Sequence, residues 1–189
     1  MDLGNVFSIA SGCWGVSEII LGVRTRARST AADIRDRGSL VLIWVTIAAS
    51  LVAAAAFNTH SAARIHVSAQ LMFAVSIVLL VTGVAIRWTA IFTLGRWFTS
   101  NVAIGEGQRL IQAGLYRHIR HPAYTGTLVA FAAIGVALRN WLSIIIIIVP
   151  ITAAFLYRIR IEEAALVDVF GQDYLRYCKS TRCLLPGLY

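Results

Sequence analysis

Apolar residues in this chain form long uninterrupted runs. The run at 39–57, SLVLIWVTIAASLVAAAAF, has no polar face, although a helix of a soluble bundle needs one. A helix takes about 20 apolar residues to cross a bilayer. Runs that approach this length lie at 4–23, 39–57, 68–86, 124–138 and 141–157. The pattern predicts an all-α polytopic membrane protein, a single domain over 1–189 with five transmembrane helices.

The first run is expected to remain in the mature protein as a span. No basic residue precedes it and no small-residue cleavage site closes it, so it does not match a cleavable signal peptide. The mean hydropathy of the chain, +0.74, agrees with a membrane protein.

The net charge of +8 is better explained by membrane orientation than by nucleic acid binding. With five crossings, all but two of the 17 Lys and Arg residues fall on one side of the membrane, and Arg64 and Arg139 fall on the other. Because cytoplasmic connections carry such an excess, we expect an external N-terminus and a cytoplasmic C-terminus. The basic side would also attract anionic lipid headgroups. In this scheme Arg87 belongs to the connection between spans three and four.

Spans four and five are joined only by Arg139 and Asn140, so they are predicted to form an antiparallel hairpin. RHPAY at 120–124 then meets YRIRIEE at 157–163 at the cytoplasmic face. After span five, RIRIEEAALVDVF at 158–170 has no breaker before Gly171, so the helix is expected to continue past the membrane to that residue. A short cytoplasmic helix is expected to follow it.

Charged residues at this corner fall into two groups. Arg117 and His118 fit an ordinary juxtamembrane anchor that contacts lipid headgroups. Arg120, by contrast, faces an acidic pair across the hairpin. Of that pair, Glu163 is expected to neutralise the basic corner, whereas Glu162 shares a helical face with residue 158, four positions earlier.

Glu18 lies inside the first apolar run. An intramembrane carboxylate costs roughly 2.5 kcal/mol or more and usually has a partner, which the sequence does not identify. The cysteines, Cys13, Cys178 and Cys183, show no metal-ligand spacing. We expect free thiols and no metal site.

The segments LGRWFTSNVAIGEGQRLIQAGLYRHIRHPAYTG and RIRIEEAALVDVFGQDYLRYCKSTRCLLP resemble the isoprenylcysteine carboxyl methyltransferase family. This family of integral membrane enzymes is related to the phospholipid N-methyltransferases. The resemblance covers about 94–186, and its specific part is Gly-x-Tyr-x-x-x-Arg-His-Pro-x-Tyr-x-Gly followed by Glu-Glu and Phe-Gly-x-x-Tyr. The first three spans contribute hydrophobicity alone.

The resemblance implies an S-adenosyl-L-methionine site built from about 101–124 and 157–186. It also implies that Arg158 is catalytic and faces the methyl acceptor. Eukaryotic members usually carry His where this chain has Gln108, and both side chains donate and accept hydrogen bonds. The matching cofactor-binding positions are Asn101, Gln108, Arg109, Leu110, Ile111, Tyr116, His121, Pro122, Ala123, Tyr124 and Glu162.

Methylation of a carboxylate fits these residue types. An α-carboxyl group, with a pKa of about 3.5, is ionised at neutral pH and needs a cation to hold it, not a base. We therefore expect carboxyl O-methylation of a lipophilic, isoprenoid-type or prenylcysteine-like acceptor that enters from the bilayer. Two alternatives remain open: a membrane reductase that uses NADPH on an unsaturated lipid, and a non-enzymatic scaffold or transporter.

Overall fold

Six α-helices make up most of the described part of the chain. The computed structural model describes residues 2–27, 33–34, 38–59, 61–100, 103–104, 107 and 109–184. α1, α2, α3 and α5 are long and apolar enough to cross a membrane, and α4 is a shorter apolar helix. The prediction of a helical polytopic membrane protein is thus confirmed. The helices are α1 (Leu3–Ala27), α2 (Ser39–Phe57), α3 (Ala69–Leu94), α4 (Pro122–Ala137), α5 (Trp141–Phe170) and α6 (Gln172–Ser180), and the short strands are β1 (Asp33–Ile34) and β2 (Ala103–Ile104).

Local sequence signals set several helix ends. The Asn140 side chain caps α5 by accepting a hydrogen bond from the backbone N–H of Leu142 at 2.9 Å. Pro122 occupies the first turn of α4, where a missing N–H costs nothing. Gly171 ends α5 with a φ of 52°, in the left-handed region that favours glycine. The predicted extension of α5 to this residue is confirmed.

The sequence-based boundary of the third span was wrong. That span was expected to end at 86, with Arg87 in the following connection, yet α3 continues to Leu94. Apolar residues resume directly after Arg87, so the helix keeps a lipid-compatible surface. Glu18 of α1 pairs with Arg87 at 2.5 Å, and this neutralises a charge that would otherwise favour a helix end.

Glycines bring α3 and α4 into close contact. A Cβ atom added at Gly83 would lie 2.6 Å from the backbone O of Gly126 and the backbone N of Ala130. A Cβ added at Gly126 would lie equally close to the backbone of Gly83 and Arg87. Small residues permit such backbone approach between membrane helices. The contact places Arg87 against the first turn of α4.

The helix connections meet in pairs at the two ends of the bundle. At one end, β1 pairs antiparallel with β2, so the α1–α2 connection contacts the α3–α4 connection. At the other end, the backbone N–H of Ile65 donates to the carbonyl of Arg139 at 2.8 Å. The α2–α3 connection therefore lies against the turn of the α4–α5 hairpin. The predicted hairpin is confirmed, and the start of α4 faces the second half of α5.

Candidate active site

A cavity of about 410 Å³ lies among the helices on the side of the bundle where β1 and β2 pair. This volume is within the range of about 300–1,000 Å³ that is usual for small-molecule sites. The walls from α1 and α2 are largely apolar, and include Trp14, Ile43, Trp44, Ile47 and Leu51. Polar side chains line the part near α6, and include Tyr116, His121, Glu162, Tyr174 and Tyr177.

Residues after α6 fix the start of α4. The backbone N–H of Arg120 donates to the carbonyl of Arg182 at 2.8 Å, and that of His121 donates to Cys183 at 3.1 Å. The Thr125 hydroxyl donates to a backbone carbonyl of the same segment. This pairing buries His121, which is 5% exposed, beside the cavity.

Glu163 connects α5 to this corner. Arg120 donates through Nε to Glu163 Oε1 at 2.7 Å, and His121 Nε2 lies 3.1 Å from the same oxygen. Arg120 also donates to the carbonyl of Thr181 at 2.7 Å. Glu163 does not line the cavity. The expectation that it neutralises the basic corner is confirmed.

His121, Glu163 and Cys183 place potential metal-ligand atoms within 4.8 Å of one another. A cation there would have to compete with Arg120, which already donates to the Glu163 carboxylate. Burial also raises the pKa of the Cys183 thiol, which disfavours the thiolate that binds metals. The contacts fit a structural junction between α4, α5 and the C-terminal segment better than a metal site.

A chain of hydrogen bonds runs from Arg158 through Tyr124 to Glu162. Arg158 Nε donates to the Tyr124 hydroxyl at 2.8 Å, and that hydroxyl donates to Glu162 Oε2 at 3.1 Å. Tyr124 also packs against Phe155, with ring centroids 5.0 Å apart. Arg158 is only 3% exposed, so it does not extend to lipid headgroups. The chain fixes a guanidinium and a carboxylate on one wall of the cavity.

Two further residues, which were not predicted as site residues, also hold Arg158. Arg158 Nη1 donates to the Ser39 hydroxyl at 2.9 Å, and Nη2 donates to the carbonyl of Ser100. Ser39 begins α2 and is 1% exposed. Sequence reasoning missed both residues, because a serine at a helix start such as Ser39 also fits an ordinary cap, and Ser100 contributes a backbone carbonyl that its residue type does not reveal.

The Glu18–Arg87 pair is a second polar element of the cavity that sequence reasoning missed. Arg87 donates through Nε and Nη2 to the two Glu18 oxygens, both at 2.5 Å, and Trp14 Nε1 donates to Glu18 at 3.1 Å. Both charged side chains line the cavity and are about seven-eighths buried. The cost of an isolated Glu18 was a signal that a partner existed. Arg87 was not identified as that partner because it was placed in the connection after span three, whereas it lies inside α3.

Tyrosines form the wall nearest α6. The Tyr177 hydroxyl donates to the carbonyl of Tyr116 at 2.6 Å, which joins α6 to the segment before α4. Burial raises the pKa of Tyr177 to about 12. Burial also raises the pKa of Tyr116, and the nearby Glu162 carboxylate adds to this effect. Both phenols therefore stay protonated and can act as hydrogen-bond donors at neutral pH.

Most of the predicted site residues come together around the cavity, although their contacts with ligands stay predictions. Pro122 is buried at the start of α4 and does not line the cavity. Asn101 and Gln108 lie outside the described residues. The predicted residues that line the cavity are Arg109, Leu110, Ile111, Tyr116, His121, Ala123, Tyr124, Arg158 and Glu162.

Known proteins similar to this chain include curated methyltransferases. Protein-S-isoprenylcysteine O-methyltransferase A from Arabidopsis thaliana is 36% identical over 112 residues, which are 58% of this chain and 57% of the relative. Protein-S-isoprenylcysteine O-methyltransferase from Mus musculus is 30% identical over 115 residues, which are 60% of this chain and 41% of the relative. The chain thus spans about half the length of the curated relatives it matches.

The fold is similar to a solved structure. That structure, the eukaryotic intramembrane Ras methyltransferase ICMT, matches with a TM-score of 0.57 and 24% identity, over 76% of this chain and 52% of the other. The isoprenylcysteine carboxyl methyltransferase (ICMT) family model matches residues 74–168, half of the chain. This range includes the Arg158–Tyr124–Glu162 chain of hydrogen bonds. The chain therefore belongs to the isoprenylcysteine carboxyl methyltransferase family.

Proposed function

We propose that this chain transfers the methyl group of S-adenosyl-L-methionine to the carboxylate of a lipophilic, isoprenoid-type or prenylcysteine-like acceptor. The observation that carries the proposal is the position of the Arg158–Tyr124–Glu162 chain in a cavity with one polar and one apolar part. Such a cavity suits a polar cofactor and a hydrophobic acceptor side by side. Family membership and the names of the relatives support the same reaction.

The residues present fit the cofactor. Glu162 is the carboxylate of the polar part, and its side chain is 34% exposed, so it can accept from an ammonium group or from ribose hydroxyls. Tyr116 and Tyr124 supply aromatic walls, and His121 supplies a ring nitrogen. When bound, S-adenosyl-L-methionine supplies a methyl group activated by a sulfonium. The Tyr124 hydroxyl fixes the position of the Glu162 carboxylate.

The apolar part suits the acceptor. Trp44 lines the cavity and is 40% exposed, so its ring reaches the outer surface of the bundle near α1. The Trp44 ring lies beside Gly22 of α1, since a Cβ added at Gly22 would be 3.8 Å from it, an ordinary contact distance. An isoprenoid chain could enter from the bilayer at this point. Arg158 would then orient the carboxylate, and since that group is already ionised, no base is required.

The proposal includes a definite orientation. We infer five crossings, with α4 as the fourth, an external N-terminus and a cytoplasmic C-terminus and cofactor site, from the distribution of Lys and Arg. A soluble cofactor would then enter from the cytoplasm. Labelling of a cysteine introduced beside Arg64 by an impermeant reagent on intact cells would support this orientation. Labelling of a cysteine introduced beside Arg117 under the same conditions would contradict it.

Calorimetry separates the proposed function from its alternatives. The purified protein should bind S-adenosylhomocysteine and should not bind NADPH. A membrane reductase would bind NADPH instead, and a scaffold or transporter would bind neither. Glu162→Ala provides the control, since it should weaken S-adenosylhomocysteine binding without unfolding the protein. Binding of NADPH alone would refute the proposal.

A further inference from the structure

The side chain of Tyr174 presents a polar atom without a hydrogen-bond partner. Among the described residues, two buried side-chain polar atoms lack one, namely Arg139 Nε and the Tyr174 hydroxyl. Only the second belongs to a residue that lines the cavity. Tyr174 is 1% exposed, and the Cys178 thiol close to its hydroxyl is at most a weak hydrogen-bonding group that does not satisfy it. Buried hydroxyls are normally satisfied, so this one calls for an explanation.

Tyr177, on the same helix, has a buried hydroxyl that does have a hydrogen-bond partner. Its hydroxyl donates to the carbonyl of Tyr116 at 2.6 Å and thereby fixes α6 to the rest of the bundle. Tyr174 makes no such contact, although it is the more deeply buried of the two. Phenylalanine would fill the same space without the cost of a desolvated hydroxyl. The hydroxyl therefore suggests a partner that comes from outside the chain.

We infer that the Tyr174 hydroxyl hydrogen-bonds a polar group of S-adenosyl-L-methionine, and that it is a cofactor-binding residue. The inference rests on the proposed function. Tyr174 lies on α6, near the part of the cavity lined by Glu162 and Tyr116 and away from the apolar walls of α1 and α2. That position favours the cofactor over the hydrophobic acceptor. The resemblance places Tyr174 in the Phe-Gly-x-x-Tyr motif but implies no ligand contact for it.

The inference predicts opposite effects of Tyr174→Phe on stability and on binding. In the ligand-free protein the substitution removes an unsatisfied group, so the apparent melting temperature should rise by about 2–4 °C. Affinity for S-adenosylhomocysteine should fall about tenfold, which corresponds to about 1.4 kcal/mol. If Tyr174 had a purely structural role, Tyr174→Phe would not raise the melting temperature and lower the affinity for S-adenosylhomocysteine together.

Calorimetry and thermal unfolding of the full chain in detergent test this. Tyr177→Phe is the matched control, because it removes a satisfied hydroxyl from the same helix and should lower the melting temperature. If the wild type binds S-adenosylhomocysteine and Tyr174→Phe binds it equally well, the inference is wrong while the proposed function stands. If only the KM of a farnesylated cysteine acceptor rises, Tyr174 contacts the acceptor and the inference is again wrong. If the wild type binds no S-adenosylhomocysteine, both fail.

Discussion

Arg158→Lys tests whether the buried arginine acts through its shape or through its charge alone. Three nitrogens of Arg158 donate in three directions, to the Tyr124 hydroxyl, the Ser39 hydroxyl and the carbonyl of Ser100. A lysine has a single nitrogen and cannot reach all three groups together. Two lost hydrogen bonds from a charged donor, at about 1.5–3 kcal/mol each, remove about 3–6 kcal/mol of the free energy that holds the side chain in its position. Methyl transfer should therefore fall by at least a hundredfold.

Cofactor affinity should change much less than turnover in this variant. Arg158 is linked to Glu162 through the Tyr124 hydroxyl, and Lys keeps the positive charge, so we expect affinity for S-adenosylhomocysteine within about tenfold of wild type. The measurements are calorimetry and methyl transfer at saturating cofactor. Arg160→Lys is the control, because this neighbouring arginine is exposed and should tolerate the change. Wild-type turnover in Arg158→Lys would remove the residue from the acceptor site.

Three further predictions concern the cofactor site and the bundle. Glu162→Ala should weaken S-adenosylhomocysteine binding ten- to a hundredfold, or about 1–3 kcal/mol, and Glu163→Ala much less by calorimetry. Equal losses would show that Glu163, which holds His121, matters to the site as much as Glu162. Gly126→Ala forces a Cβ against the backbone of α3 and should destabilise the protein by about 1–3 kcal/mol, whereas Gly12→Ala, with open space around it, should not. Equal melting temperatures of the two variants would contradict the close contact between α3 and α4. Glu18→Ala leaves the buried Arg87 guanidinium without its carboxylate and should cost about 3–5 kcal/mol of unfolding free energy. The double variant that also carries Arg87→Ala should recover part of this loss. A melting temperature of Glu18→Ala equal to that of the wild type would show that the pair does not form.

The membrane helices were predictable because each depends on a local property of the sequence. The predicted run at 39–57 coincides with α2, and Gly171 ends α5 as expected. The hairpin followed from the two-residue link between spans. It correctly brought Arg120 and Glu163 together, since so short a connection leaves the two helices no other arrangement.

Contacts between segments that are far apart in the chain could not be predicted from the sequence. Glu18 and Arg87 are 69 positions apart, and their pairing depends on how α1 packs against α3. Ser39 and Ser100 contact Arg158 only because the fold brings them to it, and Ser100 does so through its backbone carbonyl. The short hairpin link and the family resemblance therefore predicted one wall of the cavity, while the opposite wall required the three-dimensional structure.

The central claim, carboxyl methylation of a lipophilic acceptor, is tested most directly by the chemical nature of the product. The protein would be incubated with S-adenosyl-L-methionine labelled in its methyl group and with a farnesylated cysteine that has a free carboxylate. A methyl ester is cleaved by mild base to release labelled methanol, whereas a methylated amine or thioether is not. We predict base-labile label in the lipid fraction of the wild type and little in Arg158→Lys. Base-stable label, or no transfer by a protein that binds S-adenosylhomocysteine, would contradict the proposal of carboxyl methylation.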